Sequence, residues 1–449
     1  MMNVPVFTTR ESIAPEHFGA QLAGWPEERG AVHRDLVLQV LASLALVLDR
    51  QEASYPYIDT KFHLVTGENF TDRLRGRETV FCWIQGRGLE ALAGHAEWLS
   101  WEPLVGDPLR AELLDKINAI LPRVVEAMEK VRSKRGNRLP FMMTPDGQPL
   151  AVNEAGEWVA TETSEAATTL SDLFYAKGLM AAGSWLEDGH LMAEAERLFA
   201  EVHADVIGGR FVMGQVAFDP KNPVQNVPGR FSHAGRMIGL GAAALFYRHT
   251  KKPLYRQIGL EYIDHVLWYH TDCPGDFWEY LGVGRGPWFS PRGELWSDPG
   301  HATEFVGLAL ALLRETGETD PDLLARLLRV LKTNFENGFT GKGIVKAYDL
   351  KERKPINTDM PWWNLPETMR AAALGAVLMP QEEAAMAGIF GACWKAFCDG
   401  YIRRDRGLMA VQCLDEHGNV ANVVPATPDA DPGYHTGLSL IGALEWFRA

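Results

Sequence analysis

Residues 301–337 read HATEFVGLALALLRETGETDPDLLARLLRVLKTNFEN, and this stretch decides the fold class. Apolar residues recur at helical spacing from His301 to Glu315 and again from Asp320 to Asn337, which predicts two amphipathic helices. Only residues 316–319 separate the two segments. Because so short a connection leaves consecutive helices side by side and antiparallel, the stretch predicts a tight helical pair.

The same helical pattern recurs along the whole chain, and we predict twelve helices. They span Ala31–Gln51, Arg77–Trp98, Leu109–Lys134, Thr163–Leu186, His190–Ile207, Ser232–His249, Pro253–His270, His301–Glu315, Asp320–Asn337, Leu365–Leu378, Gln381–Tyr401 and His435–Phe447. Short links alternate with long ones, so the helices form six pairs. The sequence therefore predicts an all-α fold, an (α/α)6 barrel in which six helix pairs form a toroid.

The long connections are rich in Gly, Pro, Asp and Trp, and some contain short strand-like runs such as residues 343–348 and 408–413. They span residues 135–162, 208–229, 271–300, 339–363 and 402–434. Loops of this length in a compact domain are usually functional. We expect them to form short β-hairpins and a crevice on one face of the barrel. No linker or charge block divides the chain, which predicts one domain over residues 1–449.

Composition excludes several functional classes. The 449-residue chain has a formal net charge of −14 at pH 7. An acidic surface repels phosphate backbones and anionic lipids, so we expect neither nucleic acid nor a membrane as a partner. The five cysteines include no CxxC pair, which predicts neither a disulfide framework nor a zinc site. No signal-like start and no continuous apolar run of about 18 residues occur, which favours a cytoplasmic protein.

His301 follows a Pro-Gly turn at the start of a predicted helix, and Glu304 lies three residues further on the same face. The Glu304 carboxylate could orient the imidazole, while the helix N-terminus disfavours the imidazolium and would keep His301 a neutral base. The alternative is that Glu304 belongs to a capping box. A metal site is less favoured because no second HxxE or HExxH motif occurs.

His435 follows a second Pro-Gly turn, in Asp431-Pro432-Gly433-Tyr434-His435, at the start of the last predicted helix. In a toroid whose inner helices are parallel, His301 and His435 would face one central pit. Two opposed histidines can remove a proton from one face of a carbon and return it to the other. The alternative is a pair of structural histidines.

Arg87 lies one helical turn after Trp83 in Trp83-Ile84-Gln85-Gly86-Arg87. An arginine on an inner helix could stabilise an enediolate or bind a sugar hydroxyl, or it could pair with a helix carboxylate. His233 opens the sixth predicted helix and could either bind substrate or cap that helix.

Tryptophan is abundant in the long loops, where flat aromatic faces suit the C–H faces of sugar rings. The alternative is that these residues pack the loops onto the barrel. The adjacent pair Trp362-Trp363, followed by Asn364 and Glu367, is the strongest candidate for sugar binding. The loop tryptophans near the expected crevice are Trp268, Trp278, Trp288, Trp296, Trp362 and Trp363.

Together these motifs resemble the N-acylglucosamine 2-epimerase superfamily, which includes cellobiose 2-epimerases, mannose isomerases and related aldose–ketose isomerases. The resemblance extends over roughly residues 77–449, and its most specific part is the segment from Pro299 to Phe305. It differs at Gly229, which stands where the family usually has an Asn four residues before a His. The matching segments are Trp83–Arg87, Pro299–Phe305, Trp362–Glu367 and Tyr434-His435.

The resemblance implies an (α/α)6 barrel and cofactor-independent proton transfer at C2 of a ring-opened aldose through an enediolate. By this resemblance His301 and His435 would be the acid/base pair and Arg87 would stabilise the enediolate. Glu304 would orient His301 or bind substrate. The expected substrate-binding residues are Trp83, His233, Trp362, Trp363, Glu367 and Tyr434. We expect a small sugar substrate, no cofactor and no metal, and leave a homodimer open.

Two alternatives remain at this point. One is a glycoside hydrolase or lyase on the same barrel, which would need two suitably spaced carboxylates. The other is a non-catalytic sugar-binding protein on a degenerate barrel. The candidate carboxylates are Asp172, Asp298, Glu304, Glu367 and Asp431.

Overall fold

The computed structural model describes residues 7–18, 29–153, 157–161, 167–213, 227–421 and 429–448. Twelve α-helices lie within these residues. They are α1 (Arg29–Asp49), α2 (Cys82–Leu99), α3 (Asp107–Arg132), α4 (Leu170–Trp185), α5 (Gly189–Ile207), α6 (Ala234–Thr250), α7 (Pro253–Tyr269), α8 (Pro299–Thr316), α9 (Pro321–Gly338), α10 (Asn364–Leu378), α11 (Glu383–Ala396) and α12 (Ser439–Leu444).

The even-numbered helices form an inner ring. In that ring α2 packs on α4, α4 on α6, α6 on α8, α8 on α10, and α10 on α12. A π-helical turn at Tyr434–Leu438, directly before α12, packs against α2 and closes the ring. The odd-numbered helices lie outside it. The predicted (α/α)6 barrel is therefore confirmed.

Burial distinguishes the paired helices α8 and α9. Residues 302–310 of the inner helix α8 are all buried, because this helix has neighbours on every side. The outer helix α9 is amphipathic instead, and buries one stripe that includes Leu324, Leu327, Leu328 and Leu331. A helix buried all round belongs in the interior, and one with a single apolar stripe belongs at the surface.

Thirteen short strands occur in the parts of the long connections that the structure describes. They are β1 (Val80–Phe81), β2 (Met142–Met143), β3 (Leu150–Val152), β4 (Trp158–Ala160), β5 (Phe231–Ser232), β6 (Tyr280–Leu281), β7 (Trp296–Ser297), β8 (Ala347–Asp349), β9 (Lys354–Asn357), β10 (Met360–Pro361), β11 (Ile402–Arg403), β12 (Met409–Ala410) and β13 (Cys413–Leu414). All pairings are antiparallel, and several join different connections, as in β5–β6 and β10–β13. These pairings hold the loops at the end of the ring where the inner helices begin.

Four helices differ from the sequence prediction by more than about two residues at an end. Helix α2 begins at Cys82 rather than Arg77, because residues 80–81 form β1 and pair with β2. Helix α4 begins at Leu170, where Thr169 and Asp172 form a capping box. The predicted start of that helix, residues 163–166, lies outside the described residues. The eleventh and twelfth helices are each interrupted by a π-helical turn.

Helix α1 is long and apolar enough to cross a membrane, by length and composition only. However, 78% of its apolar window is buried inside the protein, which is typical of a core helix. The five cysteines all lie within the described residues and are free thiols. The single domain, the cytoplasmic location and the homodimer stay predictions.

Two glycines allow α2 and α4 to approach closely. A Cβ atom added at Gly86 would lie 2.5 Å from the backbone carbon of Phe174, and one added at Gly178 would lie 2.6 Å from the carbonyl oxygen of Gly86. Because both neighbours are backbone atoms, no side-chain movement can relieve the overlap. The approach places Arg87, the next residue on α2, beside α4.

We expect Gly86→Ala to destabilise the fold by about 1–3 kcal/mol, the usual effect of overpacking a close contact. Gly388→Ala is the matched control, because Gly388 is an exposed residue within α11 with open space around its Cα. That change should stabilise the protein by up to about 1 kcal/mol through helix propensity. Urea unfolding measures both, and equal effects would contradict the close approach.

Candidate active site

The two histidines predicted from Pro-Gly turns begin their helices in the same way. Asp298 is the N-cap of α8, and its Oδ1 accepts hydrogen bonds from the backbone N–H of Gly300 and His301. Asp431 accepts from the N–H groups of Tyr434 and His435 in the same manner. Side-chain capping fixes the first turn of each helix. Each histidine is therefore held at a rigid helix start.

His301 is held between two carboxylates. Its Nδ1 lies 3.1 Å from both carboxylate oxygens of Glu279 and 3.3 Å from Oδ2 of Asp298. Burial alone would lower the pKa of His301, but the charges of Asp298 and Glu279 outweigh burial and raise the pKa to about 9. The sequence-based expectation of a neutral His301 was therefore wrong, because two close carboxylates outweigh a helix N-terminus. At neutral pH His301 is an imidazolium.

His435 has its own carboxylate partner. Nδ1 of His435 lies 2.8 Å from Oε1 of Glu367, which also accepts a hydrogen bond from Ser439. Arg370 forms an ion pair with the other oxygen of Glu367. Burial opposes the charge on Glu367, but Arg370 and the hydrogen bond with His435 hold its pKa at about 2. Since the ionised carboxylate accepts from Nδ1–H, Nε2 of His435 is the nitrogen left to accept a proton.

Trp363 links the two histidines. Its ring stacks on His301 with centroids 5.2 Å apart, and it lies 5.8 Å from the ring of His435. The neighbouring Trp362 packs edge-on against His435 at 6.2 Å. The structure thus brings both histidines and both tryptophans into one site.

Arg87 lies among aromatic rings rather than carboxylates. Its guanidinium carbon is 4.9, 4.3 and 5.0 Å from the ring centroids of Trp83, Phe174 and Tyr434. Arg87 forms no ion pair with any residue that the structure describes, and its Nε is buried without a hydrogen-bond partner among them. The alternative of a helix ion pair is not met, and the guanidinium can bind an anionic oxygen.

Glu304 lies on the His435 side of the site. Its carboxylate is within 4.8 Å of the ligand atoms of both Glu367 and His435. Burial and the nearby charge of Glu367 raise the pKa of Glu304. The carboxylates that contact the ring of His301 are Glu279 and Asp298, so Glu304 does not orient that ring and is no capping-box partner.

His233 is brought to the site but is fully buried. It is the N-cap residue of α6 without using its side chain for capping, and its Nε2 lies 3.1 Å from Oε2 of Glu279. Its ring packs edge-on against His301 with centroids 5.4 Å apart. His233 therefore contacts the carboxylate behind His301, whereas the sequence analysis expected it to contact substrate.

Two groups of side chains are close enough to hold a metal ion: His233, Glu279 and His301, and Glu304, Glu367 and His435. In the first, Nδ1 of His233 is buried without a partner among the described residues, whereas a metal-bound histidine normally donates its other N–H to an acceptor. In the second, Arg370 already neutralises Glu367. Hydrogen bonds account for the first group and for Glu367 and His435 of the second, and we assign no metal to either.

The open space at the site is small. A cavity of about 30 Å³ lies between Trp83, Arg87, Trp362, Asp431 and His435, and it would hold about two water molecules.

A larger cavity of about 360 Å³ reaches from Tyr434 and Arg370 to the opposite end of the ring, where the inner helices end. Two arginines that line this cavity already form ion pairs, Arg248 with Glu315 and Arg314 with Glu445. Both arginines lie in the last turn of an inner helix, where a cation complements the helix dipole. We place the active site at the histidines because His301 and His435, each at the start of an inner helix and bonded to its own carboxylate, both contact Trp363.

Comparison with known proteins agrees with this architecture. The sequence model of the family described as N-acylglucosamine 2-epimerase (GlcNAc 2-epimerase) matches residues 175–436, more than half of the 449-residue chain. The chain belongs to the N-acylglucosamine 2-epimerase family. The match includes His301, Glu367 and His435, and begins after Arg87. Family membership supports a sugar epimerase or isomerase activity.

Solved structures of this family have the same fold. Cellobiose 2-epimerase from Bacillus thermoamylovorans B4167 is 12% identical, with a TM-score of 0.70 over 93% of this chain and 99% of that one. Cellobiose 2-epimerase from Spirochaeta thermophila DSM 6192 is 15% identical, with a TM-score of 0.68 over 95% and 99%. A D-mannose isomerase is 14% identical, with a TM-score of 0.65 over 91% and 97%. No curated protein matches the chain by sequence.

The sequence did not lead us to three charged side chains that contact the histidines or the carboxylates beside them. Glu279 and Lys346 lie in long connections whose paths depend on tertiary contacts, and no local pattern predicts where they point. Arg370 could have been found, because it follows Glu367 by three residues on one helix face.

Proposed function

We propose that this protein is an isomerase that moves a proton at C2 of a ring-opened aldose through an enediolate. The observation that carries the proposal is the pair of histidines, each hydrogen-bonded through Nδ1 to its own carboxylate and both in contact with Trp363. Such a pair supplies one base and one acid to a single carbon, and the chemistry needs no cofactor.

The carboxylate contacts of the two histidines support different roles. His435, bound to the ionised Glu367, offers Nε2 to take the C2 proton of the aldose. The electron pair of the broken C–H bond forms the C1–C2 double bond, and the carbonyl oxygen becomes the enediolate oxygen. His301, already an imidazolium, then donates a proton to the opposite face of C2, which yields the epimer.

Arg87 is proposed to stabilise the enediolate oxygen, because its guanidinium has no other anion among the described residues and lines the same cavity as His435. Donors placed where charge develops contribute strongly in a site from which water is excluded. Trp83, Trp362, Trp363 and Tyr434 are proposed to pack against the sugar. Glu304, with its raised pKa, is proposed to bind a sugar hydroxyl.

The glycoside hydrolase alternative is less well supported by the geometry. Three of its five candidate carboxylates serve as helix caps, since Asp172, Asp298 and Asp431 all bind backbone N–H groups. Glu367 is committed to Arg370 and His435. Only Glu304 remains, and hydrolysis by either stereochemical route needs two carboxyl groups.

The test is to incubate the protein with glucose, mannose, N-acetylglucosamine or cellobiose in D₂O and to follow the products by NMR. We expect deuterium at C2 of an epimer, or at C1 of a ketose if the proton returns there. Release of reducing ends from an oligosaccharide, without deuterium at C1 or C2, would contradict the proposal and favour a hydrolase.

A further inference from the structure

Glu279 joins two imidazole rings through one carboxylate. It lies in the connection between α7 and α8, directly before β6, and its backbone N–H is fixed by a 2.8 Å hydrogen bond to the carbonyl of Trp296. One side-chain oxygen contacts His301, and the other contacts both His301 and His233, all at 3.1 Å. The carboxylate is buried. A buried carboxylate bonded only to imidazoles constrains the orientation of both rings.

The hydrogen bonds define the tautomer of His233. Its Nδ1 is buried without a partner among the described residues, so a proton there would be an unsatisfied donor. The proton therefore belongs on Nε2, which donates to Glu279. The neighbouring His270 packs edge-on against His233 at 5.5 Å, and burial, reinforced by His233, lowers the pKa of His270 to about 3. Nε2–H of His233 is thus the donor that anchors Glu279.

Five charged or titratable groups, from four parts of the fold, surround His301. Asp298 lies at the start of its own helix and Glu304 one turn further along it. Glu279 comes from the α7–α8 connection, Lys346 from the α9–α10 connection, and His233 from the start of α6.

The two carboxylates that contact His301 are not equivalent. Lys346 donates a hydrogen bond to Oδ2 of Asp298, whose Oδ1 is used in capping α8. Asp298 therefore shares its charge between Lys346 and His301. Glu279 has no lysine or arginine partner among the described residues, and its oxygens bond only to His233 and His301. Glu279 is thus the carboxylate whose side-chain hydrogen bonds all go to imidazoles.

We propose that Glu279 is a positioning residue that turns Nε2 of His301 into the site and keeps this imidazole protonated, and that His233 acts by holding Glu279. His301 Nδ1–H donates to Glu279, so only Nε2 can face a substrate. The consequence for catalysis rests on the proposed function, whereas the consequence for the charge of His301 does not.

The first test is the titration of His301, followed by NMR of ¹³C-labelled histidine and assigned with His301→Asn. In Glu279→Gln we expect the midpoint to fall from about 9 towards the ordinary histidine value of about 6.5. Glu294→Gln is the matched control, because Glu294 lies in the same connection but bonds to Ser290 and Trp296. An unchanged midpoint in Glu279→Gln, or an equal fall in Glu294→Gln, would overturn the proposal.

The second test is kinetic. Glu279→Gln should lower kcat on the order of 10²-fold at neutral pH, the lower end of what general acid catalysis contributes, with little change in KM. The alkaline limb of the pH profile should move to lower pH, which a merely structural role would not cause.

His233→Gln, which keeps an N–H donor for Glu279, should retain more activity than His233→Phe; equal losses would contradict the anchoring role. If the wild type turns over no sugar, the proposed function fails, while the NMR titration still decides the role of Glu279.

Discussion

Replacing either histidine of the pair with asparagine is expected to lower kcat by about 10²- to 10⁴-fold, the range that general acid–base catalysis contributes. In His435→Asn the base that takes the C2 proton is lost. In His301→Asn the acid that returns it is lost. Asparagine keeps an amide N–H that can bond to Glu367 or Glu279, so the neighbouring carboxylates remain partnered.

The kinetics are measured with the aldose identified by the deuterium screen, and circular dichroism checks that both variants fold. His190→Asn is the control, because His190 is exposed on α5, away from the inner ring. It should retain wild-type kcat. If either pair variant kept more than about a tenth of the wild-type kcat, the assignment of that histidine to acid–base chemistry would be wrong.

Arg87→Met is expected to lower kcat by about 10²- to 10³-fold, as the loss of one preorganised oxyanion donor does. Methionine keeps an unbranched apolar side chain against Trp83 and Phe174 but removes the charge. Because the enediolate is charged only after the proton has left, kcat should fall more than KM rises.

Arg248→Met is the matched control, because Arg248 also lies on an inner helix but at the opposite end of the ring, paired with Glu315. Steady-state kinetics and thermal melting of both variants separate catalysis from stability. A rise in KM with unchanged kcat for Arg87→Met would show that Arg87 binds the ground state instead.

The fold could be predicted because the residue pattern that indicates each helix lies within a short stretch of sequence. Each helix carries its apolar residues at helical spacing, and short and long links alternate, so α8 and α9 could be placed to within two residues from residues 301–337. The start of α2 was not predictable in this way. Residues 80–81 pair with Met142 and Met143, about sixty positions away, and that pairing is invisible in a local pattern.

The site was predictable where its residues begin helices. The turns before His301 and His435 are visible as Asp-Pro-Gly in the sequence, Arg87 and Glu304 were indicated by their helical spacing, and the resemblance assigned roles to them and to Glu367. The charge of His301 was not predictable, since it depends on Glu279 in a connection whose path is set by tertiary contacts. The role of His233 could not be predicted for the same reason. Only its burial behind Glu279 distinguishes a residue that anchors Glu279 from one that binds substrate.

The central claim is that His301 and His435 move a proton at C2 of an aldose. The most direct measurement uses an aldose deuterated at C2 and follows the loss of that deuterium to H₂O by NMR. The account predicts that the wild type releases the deuterium during turnover and that the folded His301→Asn/His435→Asn double variant does not. Release by the double variant at the wild-type rate would contradict the account.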